Sequence, residues 1–261
     1  MFNKLIKELS ELQEVESIAL GGSRANEVYD EKSDYDVYLY VNNPIKEEIR
    51  LRILKKYCSK IEIGNHYWEY EDNCILNNGI DIDILYRNLE DFSNEISSVV
   101  DKHLAHNSYT TCMWHNLKTC KILFDRNGKL TKLKNKYNCS YPKELKDNII
   151  NRGMNLLHIS LPAFDKQILK ASSRKDLNSV NHRVSEFMAT YFDVIFALNE
   201  LTHPGEKRLV SLAISQCKIL PKNFEENINQ LFNSMFNNPE VLKKILNDVI
   251  IELNKVINQK A

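Results

Sequence analysis

The sequence predicts an α/β half, built on a mixed sheet with flanking helices, followed by an all-helical half. Three observations carry this. Ser17-Ile18-Ala19-Leu20 runs into Gly21-Gly22-Ser23-Arg24-Ala25 and then into Asp34-Tyr35-Asp36-Val37-Tyr38-Leu39-Tyr40, the outline of strand, turn, short helix and strand. Ile80 to Ile84 alternates strictly between isoleucine and aspartate, the period of a half-buried strand. Beyond about Pro142 the strand signals fade, and Val180, Val184, Phe187, Met188, Tyr191, Ile195 and Leu198 form one apolar stripe at helical spacing. The join falls near residues 126–142, which divides the chain into residues 1–130 and residues 131–261.

Taken in order, Leu5, Ile6, Leu9 and Leu12 predict a helix over residues 3–14. Residues 17–20 read as a short buried strand ending at the double glycine, and Val37 to Val41 continues the second strand. Ile45, Ile49, Ile53 and Leu54 predict a helix over residues 45–58. His66-Tyr67-Trp68-Glu69-Tyr70 and residues 80–86 both have strand character. A helix over residues 89–118 follows, then a last strand, Lys121-Ile122-Leu123-Phe124, stopped by the turn Asp125-Arg126-Asn127-Gly128. In the helical half His203-Pro204-Gly205 ends the long helix, and Val241, Leu242, Ile245, Leu246, Val249 and Leu253 predict a final one.

Composition narrows the function classes. The chain has 261 residues, 43% hydrophobic and 27% charged, as an ordinary soluble globular protein does. Lys plus Arg equals Asp plus Glu at 35 each, so the formal net charge is zero. A protein that grips a long polyanion usually carries a basic excess, so the balance favours a small-molecule acceptor over a nucleic acid. The six cysteines form no C-x-x-C pair and no zinc-type cluster. The N-terminus lacks the apolar core of a signal peptide, and no apolar run approaches the ~20 residues of a membrane span. These observations predict a reduced, cytoplasmic protein.

The chemistry concentrates at the first turn and the two acid-bearing strands. Side chains two apart on a strand share a face, so Asp34 and Asp36 can share a divalent cation. Gly22 lets the backbone approach a phosphate, and Ser23 adds a hydroxyl and a backbone N–H at a helix start. A third carboxylate, Asp83 or Asp81, would complete a two-metal arrangement and accept a proton from an attacking hydroxyl. Arg24 would contact a triphosphate or pair with Asp30 or Glu31.

Gly22-Ser23-Arg24-Ala25 followed by Ser33-Asp34-Tyr35-Asp36-Val37 resembles the signature of the DNA polymerase beta-type nucleotidyltransferase superfamily. More narrowly, it is similar to the bacterial antibiotic nucleotidyltransferases that act on aminoglycosides and lincosamides. The resemblance covers residues 15–42 and Ile80 to Arg87, and Leu123-Phe124-Asp125 to Leu130 resembles the end of that domain. The helical half is similar in general layout, with Phe196-Ala197-Leu198-Asn199 through Lys207-Arg208 resembling the antibiotic-modifying group. The resemblance implies transfer of a nucleoside monophosphate from an NTP, ATP being expected, to a hydroxyl of a small acceptor, with release of pyrophosphate. It implies Mg²⁺ in a two-metal site held by Asp34, Asp36 and Asp83, with Asp83 as base and Gly22, Ser23 and Arg24 on the nucleotide. Asp83 is preferred to Asp81 because Asp83-Ile84-Leu85-Tyr86-Arg87 matches the family's acid, apolar pair, Tyr, Arg pattern. The helical half would close one wall of the cleft and choose the acceptor, in a monomer or homodimer. Asn26-Glu27 departs from the Arg-Gly pair of many members, which leaves the helix start less basic.

Two rival readings stand beside this one. A toxin-type nucleotidyltransferase acting on tRNA or protein would show a basic stripe on the helical half. A non-catalytic nucleotide-binding module would have no physical need for three desolvated carboxylates. Other residues have bland readings that are preferred. Tyr67, Trp68 and Tyr70 read as core packing before a stacking platform. His103, His106 and His115 read as structural or exposed. Lys207 and Arg208 read as a solvated helix start before a triphosphate contact, Arg174 and Lys175 likewise as solvated charges, and Glu186 and Asp193 as a helix-surface pair before a clamp on an acceptor amine.

Overall fold

Six strands form one mixed sheet, and their order explains which segments meet. In the computed structural model, which describes residues 1–25, 33–67 and 69–259, β1 is Val15–Leu20, β2 Tyr35–Val41, β3 Cys58–Asn65, β4 Glu71–Leu76, β5 Asp81–Arg87 and β6 Lys121–Asp125. The spatial order is β3-β4-β5-β2-β1-β6. β2 and β5 run parallel at the centre, with Asp36 opposite Asp83, and the remaining neighbours are antiparallel. A parallel pair brings the same ends of two strands together. Here those ends are the two acid-bearing N-termini.

The two faces of the sheet differ because side chains alternate along each strand. On one face Val37, Leu39, Ile82, Ile84, Cys74 and Leu76 are buried. Helix α1 (Phe2–Ser10) contributes Leu5 and Leu9 to the same cluster, and α3 (Glu47–Leu54) contributes Ile53 and Leu54. Burying each such side chain contributes about 1.5–3 kcal/mol, which fixes the sheet against these helices. The opposite face is polar, carrying Asp36, Tyr38 and Tyr40 on β2, Asp83 and Arg87 on β5, and Glu71 and Asn73 on β4. There the Phe92 ring of α4 (Leu89–Val100) lies 5.4 Å from Tyr40, and Asn116 of α5 (Cys112–Thr119) donates to the Tyr38 hydroxyl at 2.7 Å.

Several predicted elements differ in extent. The helix expected over 45–58 stops at Leu54, because Ser59 to Ile63 alternates and forms the edge strand β3. β4 opens with Glu71-Asp72-Asn73, residues of low strand propensity that are held by tertiary partners. His66, Tyr67 and Tyr70 lie in the bend joining β3 and β4 rather than on a strand, and Trp68 lies outside the described residues. Tyr67 is 71% exposed, so it is not core. The helix expected over 89–118 is two helices, α4 and α5, with residues 101–111 between them. His103 and Tyr109, at φ 55° each, bend the backbone there.

By its internal contacts the chain forms two units, Met1–Ser97 with Met113–Cys139, and Ser98–Cys112 with Ser140–Ala261. A single cut at residue 130 does not follow this division. The first unit also holds α6 (Lys129–Lys136). The second unit is helical, with α7 (Lys143–Met154), a π-helical turn (Asn155–Ile159), α8 (Phe164–Ser173), α9 (Leu177–Leu198), α10 (Leu209–Gln216), α11 (Phe224–Ser234) and α12 (Pro239–Asn258). Every residue from Thr190 to Leu198 is buried, so the second half of α9 forms the axis of this unit, with α7 and α8 against the helix.

Candidate active site

Asp34 precedes β2 by one residue, Asp36 is the second residue of β2, and Asp83 is the third residue of β5. One oxygen from each of these half-buried carboxylates lies within 4.8 Å of the others. The expected acid cluster therefore assembles, and the strand register decides its third member. Asp83 stands opposite Asp36, whereas Asp81 is exposed and stands opposite Ile75. Three carboxylates this close repel one another unless a cation shares them. An all-oxygen donor set suits a hard divalent cation such as Mg²⁺.

The glycine turn is built around this cluster. The Gly21 N–H donates to the Asp36 carbonyl at 2.8 Å, tying the end of β1 to the start of β2. Gly22 follows at φ +61°, and a β-carbon there would lie 1.9 Å from Asp36 Oδ2. Only glycine satisfies both demands, since its backbone adopts that conformation freely and it leaves the carboxylate its space. Gly22 and Ser23 open α2 (Gly22–Ala25), where Ser23 is half-buried. The Arg24 Nε donates to the carbonyls of Ser33 at 2.8 Å and Asp34 at 3.1 Å, and its guanidinium carbon lies 4.1 Å from the Tyr35 ring centre. Arg24 thus braces the backbone that carries Asp34. Asp30, Glu31 and the Asn26-Glu27 pair lie outside the described residues.

Two asparagines that sequence reasoning missed orient Asp83. Asn73 on β4 stands opposite Asp83 and donates from Nδ2 to its Oδ1 at 2.7 Å. Asn65 Nδ2 donates at 2.7 Å to Asn73 Oδ1, which fixes which way the Asn73 amide points. Asn65 reaches Asn73 because the β3–β4 register shifts between Glu62 and Asn65, with Gly64 at φ +73° inside the bulge. The bulge is anchored from the core face, where the Gly64 N–H donates at 3.0 Å to Asp72, a fully buried carboxylate. Asp72 also binds the buried Arg50 guanidinium at 2.5 Å and accepts from the Tyr86 hydroxyl at 2.7 Å, while Arg50 donates to the Tyr70 hydroxyl. Beside Asn73, burial and then the Asp83 charge raise the Glu71 carboxyl above its ordinary value.

Arg87, at the end of β5, is buried on the polar face and binds Glu69 at 2.7 and 2.5 Å. Burial pulls its pKa down, but the bonds to Glu69 and the neighbouring tyrosines outweigh this and raise it, so the guanidinium stays charged. Its carbon sits 4.0 Å from the Tyr38 ring centre, and the Tyr38 hydroxyl is pushed up by burial. The arginine of the matched Tyr-Arg pair therefore acts as packing and charge support.

Other singled-out residues belong to the helical unit. Lys207 and Arg208 are exposed at the start of α10. Asp193 is buried, not on a helix surface, and accepts from the Thr110 N–H at 3.0 Å and the Thr110 hydroxyl at 2.7 Å. Among the described residues no helix is long and apolar enough to cross a membrane.

Residues 2–106 match the family model of the nucleotidyltransferase domain. No curated protein matches the chain. Among solved structures, a nucleotidyltransferase-like protein from Exiguobacterium sibiricum 255-15 aligns at 12% identity and a TM-score of 0.46, over 100% of this chain and 76% of that one. An aminoglycoside 6-adenyltransferase from Bacillus subtilis aligns at 8% identity and a TM-score of 0.31, over 99% and 90%. A Thermotoga maritima CCA-adding enzyme complexed with tRNA aligns at 12% and 0.26, over 98% and 80%. None of these three likenesses argues for one acceptor over another.

Proposed function

We propose that this protein, whose residues 2–106 match the nucleotidyltransferase domain model, transfers a nucleoside monophosphate from an NTP to a hydroxyl of a small molecule. ATP is the proposed donor, pyrophosphate the by-product, and antibiotics the first acceptor class to try. The carboxylate cluster of Asp34, Asp36 and Asp83, with an oxygen of each within 4.8 Å of the others, is the observation that carries this reading. Asp34 and Asp36 would hold Mg²⁺ together with Asp83. A bound divalent cation neutralises triphosphate charge and stabilises charge developing on the attacking and leaving oxygens.

The chain's own residues supply the rest. Asp83 accepts the proton of the acceptor hydroxyl as its oxygen attacks the α-phosphorus and the bond to the pyrophosphate oxygen breaks. Asn73 fills one oxygen of that carboxylate and keeps it from rotating. Gly22 keeps the wall beside Asp36 free of any side chain, so a phosphate can come close. Zero net charge supports a small acceptor over a polyanion.

Pyrophosphate release tests the reading directly. The full chain is incubated with Mg²⁺ and each NTP in turn, against aminoglycosides, lincosamides and bulk tRNA, with Asp34→Asn/Asp36→Asn as the blank. Release with one acceptor class, absent from the blank, establishes the reaction and names the acceptor type. NTP binding with no release across the panel overturns these acceptor classes and leaves an acceptor outside the panel or a binding module.

A further inference from the structure

In the helical unit, α8 with the residues on either side of it and the first turns of α9 line an open cleft of about 590 Å³. Lys166 and Lys170 lie four residues apart on one face of α8, about 6 Å along its axis, and Arg174 caps its C-terminal end. Arg183 joins them from α9, and Leu161, 91% exposed, adds an apolar wall. Lys166, Lys170 and Arg174 are exposed and Arg183 is half-buried, so all four can meet an anion from solvent.

Of the nearby anions Asp165 is engaged elsewhere, whereas Asp176 lines the cleft, its carboxyl held below the ordinary value first by the Ser179 bonds and also by the Arg174 charge. Asp165 accepts from the Lys166 N–H at 2.6 Å and pairs with His158 Nδ1 at 2.6 Å. Asp176 caps α9, accepting from the Ser179 N–H at 3.1 Å and its hydroxyl at 2.7 Å. Lys166 donates to the Ser160 carbonyl at 2.7 Å, which fixes the edge of the cleft. Among the described residues, none of Lys170, Arg174 and Arg183 is in an ion pair with a carboxylate.

We propose that this cleft binds a small molecule carrying two or more phosphoryl groups on a partly apolar body. Guanidinium groups match phosphate oxygens two at a time, and two arginines lining the same cleft as two lysines suit clustered charge. The volume is that of a small-ligand site. Sites for single-stranded nucleic acid stack bases on aromatic side chains, and this lining has none. The test of this cleft needs no turnover.

The probe is sodium tripolyphosphate, titrated calorimetrically into the full chain in EDTA, where the Asp34, Asp36 and Asp83 carboxylates repel an anion. One binding event that weakens with added salt is expected. Arg174→Gln/Arg183→Gln should weaken it at least tenfold with an unchanged circular dichroism spectrum, and Lys170→Gln alone should weaken it less. No binding by the wild-type chain at millimolar tripolyphosphate overturns the site, as does equal binding by the double variant. A single-stranded RNA oligonucleotide bound more than tenfold tighter through the same residues overturns the small-ligand assignment.

Discussion

Asp83 and Asp36 face each other across a parallel strand pair, so each can be removed without breaking a backbone bond. Asp36→Asn keeps shape and removes charge; turnover should fall at least a hundredfold with an unchanged melting temperature. Gly22→Ala forces a β-carbon onto Asp36 in a backbone region unfavourable to alanine, and should cost about 1–2 kcal/mol of stability by urea denaturation. Its Mn²⁺ affinity, followed by electron paramagnetic resonance, should fall as well. Asn73→Ala should lower kcat about tenfold while KM for the NTP holds, since it releases one carboxylate oxygen and touches no nucleotide. The aspartates were legible in the sequence because a two-residue period places side chains on one face. Asn73 and Asn65 were not, because their alignment depends on a bulge between two strands that no linear pattern announces. The choice between Asp81 and Asp83 needed the register, although the resemblance had already pointed to Asp83.

The β3–β4 hairpin is the element least visible in the sequence and the one that most directly orients Asp83. Glu71-Asp72-Asn73 looks like a loop until its partners are known, since each of the three meets a different set of neighbours. Asp72 turns to the core face, where Arg50 and the Tyr86 hydroxyl satisfy its charge. Removing one partner of a buried ion pair leaves the other uncompensated. Arg50→Met should therefore destabilise the chain by about 3–5 kcal/mol in urea denaturation. Strands β1, β2, β5 and β6 were legible because their apolar runs are short, regular and bounded by turn residues. The split between α4 and α5 turns on the positive φ of His103 and Tyr109, which no periodicity marks.

At the scale of the whole molecule, the two halves were legible from the change in periodicity near residue 140. What the periodicity could not reveal is that Ser98–Cys112 belongs with the later residues. Thr110 shows why: both of its donors meet Asp193, deep in the helical unit. Burial pushes the Asp193 carboxyl up to about 6, against an ordinary value of 3.8, even though the two Thr110 bonds pull it down. Between those values the folded chain holds a proton that the unfolded chain has released. The residue's contribution to stability is therefore greatest below about pH 4 and declines as pH rises through 6. Asp193→Asn, whose carbonyl still accepts from the Thr110 N–H, removes that dependence. Subtracting the variant's urea-denaturation stability from the wild type's should leave a difference that falls by at most about 3 kcal/mol across this range.

The backbone crosses between the units three times, at 97/98, 112/113 and 139/140. Recombination between relatives usually exchanges one continuous stretch of gene. A crossover near residue 130 would deliver a new helical unit while keeping the old Thr110, and the incoming helix would bury its Asp193 counterpart against a segment that had not evolved with it. Exchange of the helical unit thus requires three coordinated breaks, and inheritance of both units as a block is the path of least disruption. Diversification in such a lineage would proceed by point substitution along clefts and loops rather than by trading halves.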